Sequence, residues 1–139
     1  LSSIGVETIL MAKKNLPRPT EAELAILRVL WDRGPSTVRA VQQALENERG
    51  TGYTTALKLL QIMTEKGLVR RDDRQRTHVY EAVLPAEATQ RQLVRDLLDR
   101  AFGGSARQLV MQALSAERAS KADLAEIRKL LDALEKKKE

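Results

Sequence analysis

Glycine sets the frame of this chain. Gly34, Gly50 and Gly67 each interrupt a run whose apolar residues recur at helical spacing, and beyond Gly67 the spacing gives way to short alternating runs. No helix between Thr20 and Gly67 therefore has room for more than a few turns. Thr20-Glu21-Ala22-Glu23 reads as a capping box, with the Thr hydroxyl accepting from the third helical N–H and Glu23 reaching back. Leu24, Ile26, Leu27, Leu30 and Trp31 then form one stripe, and Gly34-Pro35 ends it. Ser36 or Thr37 caps a second helix with Val38, Val41 and Leu45 on its apolar side. A third helix starts near Thr51–Tyr53 and runs to Lys66, where Gly67 suits a left-handed cap.

Leu68–Arg71 and His78–Val83 read as two short strands around the polar turn Asp72–Thr77. Helix, helix, helix, strand, basic turn, strand is the order of a winged helix-turn-helix, although spacing alone leaves other small α+β folds open. After Pro85 the chain is helical again. Leu93, Val94, Leu97, Leu98, Ala101 and Phe102 make one stripe, which Gly103-Gly104 breaks. Ser105 caps a segment carrying Leu109, Val110, Ala113 and Leu114. Ser120-Lys121-Ala122-Asp123 is a second capping box, ahead of Leu124, Ile127, Leu130, Leu131 and Leu134. The expected fold is mainly α with a small β wing: an N-terminal extension over 1–15, expected to be flexible, a winged-helix domain over 16–84, and a helical region over 85–139. Three amphipathic helices of this size bury too little surface to stand alone. They either fold back on the first domain or bury their stripes in a second copy; the second is the expectation, because a winged helix already has its own core.

Composition narrows the function. Hydrophobic residues at 42% and charged residues at 31% belong to an ordinary globular chain. There is no cysteine, so disulfides, thiolate zinc sites and cysteine nucleophiles are excluded, and His78 is the one histidine. No enzyme, metal or cofactor is expected. Carboxylates such as Glu21/Glu23 and Asp72/Asp73 read as cap and turn residues, and Trp31 as part of an apolar stripe. No apolar run is long enough to span a membrane. The first ten residues precede Met11-Ala12-Lys13-Lys14, which reads like a start, and they lack the features of a signal peptide; a cytoplasmic protein is the expectation. What remains is charge, a net +5, which permits a nucleic-acid partner.

On the third helix Ala56, Leu59, Leu60 and Met63 form the inward face, while Thr54, Thr55, Lys58 and Gln61 lie mostly opposite. Such a face can enter a major groove, where Gln pairs with adenine, Lys with guanine and Thr with base edges or a thymine methyl. A merely solvated helix face carries the same residues, so the helix alone decides nothing. Between Lys58 and Arg76, however, the local charge balance is +3. Arg74 and Arg76 fall at the wing tip, with Lys66 and Arg70 nearby, where phosphate or a minor groove would be met. Together these features favour double-stranded DNA, with Ser36 and Thr37 as further backbone candidates whose capping role explains them equally well. The rival is a winged-helix scaffold that contacts protein; the absence of apolar anchors on the Thr54–Gln61 face argues against it.

These residues resemble the penicillinase and methicillin-resistance repressor family (the BlaI, MecI and CopY type), from about Leu16 to Lys137. The pieces that carry the resemblance are Thr20-x-x-Glu23 leading to Val29-Leu30-Trp31, then Tyr53-Thr54-Thr55-Ala56-Leu57, then Glu65-Lys66-Gly67-Leu68-Val69. Tyr80, Phe102-Gly103-Gly104-Ser105 and Leu109-Val110 extend it. The resemblance implies a homodimeric repressor on a palindromic operator, dimerised through its C-terminal helices, with Thr54, Thr55 and Lys58 at family contact positions. Leu93, Leu97, Phe102, Leu109, Val110, Leu114, Leu124, Ile127, Leu130, Leu131 and Leu134 would form the dimer face. It also implies a membrane sensor protease that triggers cleavage around Met111-Gln112-Ala113. Three departures stand out: Ile62 where family members often carry Arg, no C-terminal cysteine motif of the copper-responsive relatives, and no Asn-Phe pair at the cleavage region.

Overall fold

The protein is described by a computed structural model covering residues 18–116 and 118–138. The expected extension over 1–15 lies outside the described residues. Two compact units divide at Leu93/Val94.

The first unit holds α1 (Glu21–Arg33), α2 (Val38–Arg49) and α3 (Tyr53–Lys66), then β1 (Val69–Asp72) and β2 (Val79–Ala82). Each boundary has a local cause. At the start of α1 the Glu23 amide donates to Thr20 Oγ1 at 3.2 Å and the Thr20 amide donates to Glu23 Oε1 at 2.8 Å, completing the box. Thr37 caps α2 through Ala40 N–H at 3.1 Å. At the end of α3, Gly67 adopts φ 82°, its N–H reaches Thr64 O, and Leu68 N–H reaches Met63 O. This Schellman pattern needs a left-handed residue that costs little, and Gly supplies it. It also spends the Leu68 amide on the helix, so β1 begins at Val69 rather than Leu68, and β2 is the shorter Val79–Ala82.

The strands pair antiparallel, with Val69 opposite Ala82, Arg70 opposite Glu81, Arg71 opposite Tyr80 and Asp72 opposite Val79. A further bridge joins Ser36 to Tyr80 through amide-to-carbonyl bonds of 2.9 and 2.8 Å in both directions, tying the α1–α2 connection to the wing. Ile26, Leu27 and Leu30 from α1, Val38, Val41 and Leu45 from α2, and Ala56, Leu60 and Met63 from α3 close the core with Leu68, Val69 and Tyr80. Trp31 packs at the edge of this core, half-buried, and its Nε1–H donates to Leu84 O at 3.0 Å. The unit runs past residue 84, where the sequence suggested a boundary. Leu84 and Thr89 are both buried, so the first turns of α4 (Ala86–Ala101) belong to it.

The second unit contains the rest of α4, then α5 (Ala106–Ala116) and α6 (Lys121–Lys138). Gly103 and Gly104, at φ 55° and 83°, end α4, and Gly104 N–H bonds Leu98 O. Ser105 Oγ caps α5 and the Ser120/Asp123 box caps α6. No residue of α5 or α6 is buried. Val94, Leu97, Val110, Met111, Leu114, Leu130, Leu131 and Leu134 stand between 38% and 59% exposed. Leu93, Phe102, Leu109, Leu124 and Ile127 are half-buried.

Candidate nucleic-acid interface

The inward face of α3 is fixed by Ala56, Leu60 and Met63, all fully buried, with Leu59 half-buried beside them. Its rotation about the helix axis is thereby set. Thr54, Thr55, Lys58, Gln61 and Glu65 all emerge into solvent on the other side. The structure brings together the four residues expected to read bases.

The residues expected to meet the DNA backbone behave less uniformly. Lys66 does not point outward to a phosphate. Its Nζ donates to both carboxylate oxygens of Glu23 at 2.9 Å. Glu23 is 1% exposed, and a buried carboxylate requires a counter-charge. Burial pushes the Glu23 carboxyl up, but the Thr20 backbone N–H and the Lys66 ammonium outweigh it and hold the group below the ordinary carboxylate value. Lys66 thus pins the end of α3 to the start of α1. Ser36 is also committed elsewhere: it is buried, its backbone bridges to Tyr80 and its hydroxyl donates to Gly34 O at 2.8 Å. Thr37 Oγ1 accepts the Ala40 N–H in the α2 cap, which leaves its O–H to donate elsewhere.

On the wing, Arg70 pairs with Glu81 across the strands, Arg71 with Asp73 at 2.7 Å, and Arg74 with Asp72 at 2.7 Å. Asp72 also accepts the Arg74 amide at 3.0 Å, which closes the turn. The Arg74 hydrogen bonds draw the Asp72 carboxyl down to about 2. Arg76 is exposed and makes no ion pair among the described residues. His78 lies 3.7 Å from Asp73.

Two residues that sequence reasoning did not assign join this surface. The Arg39 guanidinium sits 5.8 Å from the Tyr53 ring centre, a cation–π distance. Both border an open cleft of about 450 Å³ that also takes in Thr37, Leu57, Arg76 and His78. The first turn of α2, whose Thr37 cap, Val38 and Arg39 line this cleft, carries no acidic residue, so the positive end of the helix dipole is not offset there. The signal in the sequence was the cation two residues after the Thr37 cap. Among the described residues no group of His, Asp or Glu is placed to hold a metal ion, and no helix is long and apolar enough to cross a membrane.

The described face is a polar surface beside a buried core, and the chain that carries it matches known proteins in sequence. Residues 19–133 match the family described as penicillinase repressor. Two "Transcriptional regulator BlaI" proteins of Mycobacterium tuberculosis, from strains CDC 1551 / Oshkosh and ATCC 25618 / H37Rv, are each 35% identical over 102 residues, covering 73% of this chain and 72% of theirs. Among solved structures, the monomeric form of Bacillus licheniformis BlaI in complex with the blaP half-operator aligns with a TM-score of 0.47 at 20% identity, over 52% of this chain and 89% of that one. Apo-NmtR aligns with a TM-score of 0.38 at 22% identity, over 86% and 82%. The family match over most of the chain, with relatives of this identity and coverage, means that the protein belongs to the penicillinase repressor family of transcriptional regulators.

Proposed function

We propose that this protein is a cytoplasmic repressor that binds a palindromic operator as a homodimer, reading bases with α3 and gripping the backbone with its wing. The observation that carries the reading is the outward face of α3: Thr54, Thr55, Lys58 and Gln61, all exposed, beside a wing with Arg70, Arg74 and Arg76. Such side chains hydrogen-bond base edges in a major groove, while wing arginines and the Arg39 cleft supply sequence-independent attraction. The M. tuberculosis relatives are named as transcriptional regulators, which supports a DNA partner over a protein scaffold. The scaffold reading also lacks an apolar cluster on this face, where Tyr53 is the one large exposed apolar residue among those described.

The second unit supplies the dimer in this proposal. Its exposed stripe, from Val94 to Leu134, is what a second copy would cover. A sensor protease upstream belongs to the proposal through the family resemblance. Met111, Gln112 and Ala113 are exposed but lie within helical α5, which has to unwind before a protease accepts it. The test is operator titration with duplex from the protein's own promoter. Lys58→Ala should weaken specific binding by about 1–3 kcal/mol and relax discrimination at one position per half-site. Affinity that ignores both sequence and salt concentration would sink the proposal.

A further inference from the structure

The wing carries four arginines and is nonetheless almost uncharged. Between Val69 and Ala82, Arg70, Arg71, Arg74 and Arg76 are set against Asp72, Asp73 and Glu81, which leaves +1 with His78 neutral. The compensation is built into the backbone geometry. Arg74 presents Nη2 and Nε to Asp72 at 2.7 and 3.0 Å, and the same carboxylate accepts the Arg74 amide, so turn and ion pair form together. Arg70 and Glu81 are directly opposite in the strand register, where cross-strand side chains meet. A carboxylate offers a guanidinium two oxygens in one plane, much as a phosphate does. An arginine that turns to phosphate must therefore leave or share its carboxylate, and the released carboxylate then faces the phosphate with like charge.

We infer that Asp72 and Glu81 are specificity-determining residues: internal competitors for the wing arginines, which hold down sequence-independent attraction to the DNA backbone. This rests on the DNA-binding reading proposed above. Discrimination is the ratio of operator affinity to affinity for any duplex, and a wing of four unopposed arginines would raise both terms. With Arg70 and Arg74 occupied, only contacts made in proper register, with α3 seated in the groove, repay the loss of their carboxylates. Arg76 remains as the wing's unpaired cation among the described residues, available for first encounter.

The test uses the full chain carrying Asp72→Asn, Glu81→Gln or both. Each substitution keeps an acceptor oxygen, so the Arg74 amide and the strand pair retain a partner while the negative charge is removed. Glu126→Gln is the matched control: it removes the same charge from an exposed ion pair, with Lys129 on α6. Binding of a short random-sequence duplex is measured over a salt series, alongside thermal melting to confirm folding. Exposed pairs of this kind shift an equilibrium about two- to fivefold, so each wing variant should bind random duplex tighter by about that factor, and the double variant by about tenfold. The salt dependence should steepen, operator-over-random discrimination should fall, and adding Arg74→Ala to Asp72→Asn should erase the gain. Folded wing variants that bind random duplex no tighter than Glu126→Gln would overturn the inference while leaving the DNA reading intact. Salt-independent or absent duplex binding by the unsubstituted chain would overturn both.

Discussion

The two halves of this molecule solve the same problem differently. Residues 18–93 wrap three helices and a hairpin around twelve buried apolar residues, and one long-range ion pair is sealed against that core. The helices after Leu93 have equally clear apolar stripes and equally good caps, yet bury nothing in α5 or α6. Local signals are thus sufficient to make a helix but not to give it a partner. A stripe becomes a core only when topology returns another stripe to it, and in the dimer proposed above a second copy would supply that return for the second unit.

The largest effect expected from this contrast is on isolated fragments. Residues 1–93 alone should melt in one cooperative transition, whereas residues 94–139 should show helicity that rises with concentration in circular dichroism. Ending the first fragment after Val83 should weaken it markedly, since that removes Leu84, which accepts the Trp31 hydrogen bond, and buried Thr89. A cooperative, concentration-independent melt of 94–139 would erase the distinction. Single substitutions sharpen it. Leu60→Ala should cost about 2–5 kcal/mol of folding stability through lost burial and a cavity. Leu130→Ala, at a site 59% exposed, should stay within about 0.5 kcal/mol in the monomer. Denaturant titration at low protein concentration reads both.

The Glu23–Lys66 pair comes next. Glu23→Gln leaves Lys66 facing a neutral amide and should cost about 3 kcal/mol, the lower end for a broken buried pair because Lys66 keeps some solvent. The folded Glu23 carboxyl titrates below its unfolded value of 4.5. Its stabilising effect is therefore complete above that value and is lost as pH falls through the lower, folded one. Melting temperature followed through the acid range should drop less steeply for Glu23→Gln than for the unsubstituted chain. A smaller loss than at Glu23 is expected for Trp31→Phe, which keeps apolar bulk but loses the hydrogen bond to Leu84 O, for about 1 kcal/mol.

What could be read from sequence follows the range of each interaction. Both capping boxes, the Thr37 cap and the left-handed glycines act within a few residues, so residue type and spacing announce them. The outward face of α3 was legible for the same reason, once Ala56, Leu60 and Met63 marked its opposite side. The Glu23–Lys66 pair joins residues 43 apart, and nothing local distinguishes Lys66 from the other cations around it. Ser36 likewise reads as a cap until Tyr80, folded back through the wing, claims its backbone. Arg39 joins this surface because α3 brings Tyr53 beside it. Arg71, Asp72, Asp73 and Arg74 lay in plain view as adjacent charges, but only the turn and the register decide which carboxylate each guanidinium takes, Glu81 for Arg70 among them.

Sedimentation of the full chain and of Leu130→Asp, with operator titration on the same samples, decides whether the second unit completes itself in another copy and so joins two DNA-reading halves, as proposed. The unsubstituted chain should sediment as a dimer. Leu130→Asp should be a folded monomer whose operator affinity falls by orders of magnitude, because the second half-site is no longer engaged at high effective concentration. An unsubstituted chain that stays monomeric at high concentration, or a Leu130→Asp protein that keeps both its dimer and its full operator affinity, would contradict that proposal.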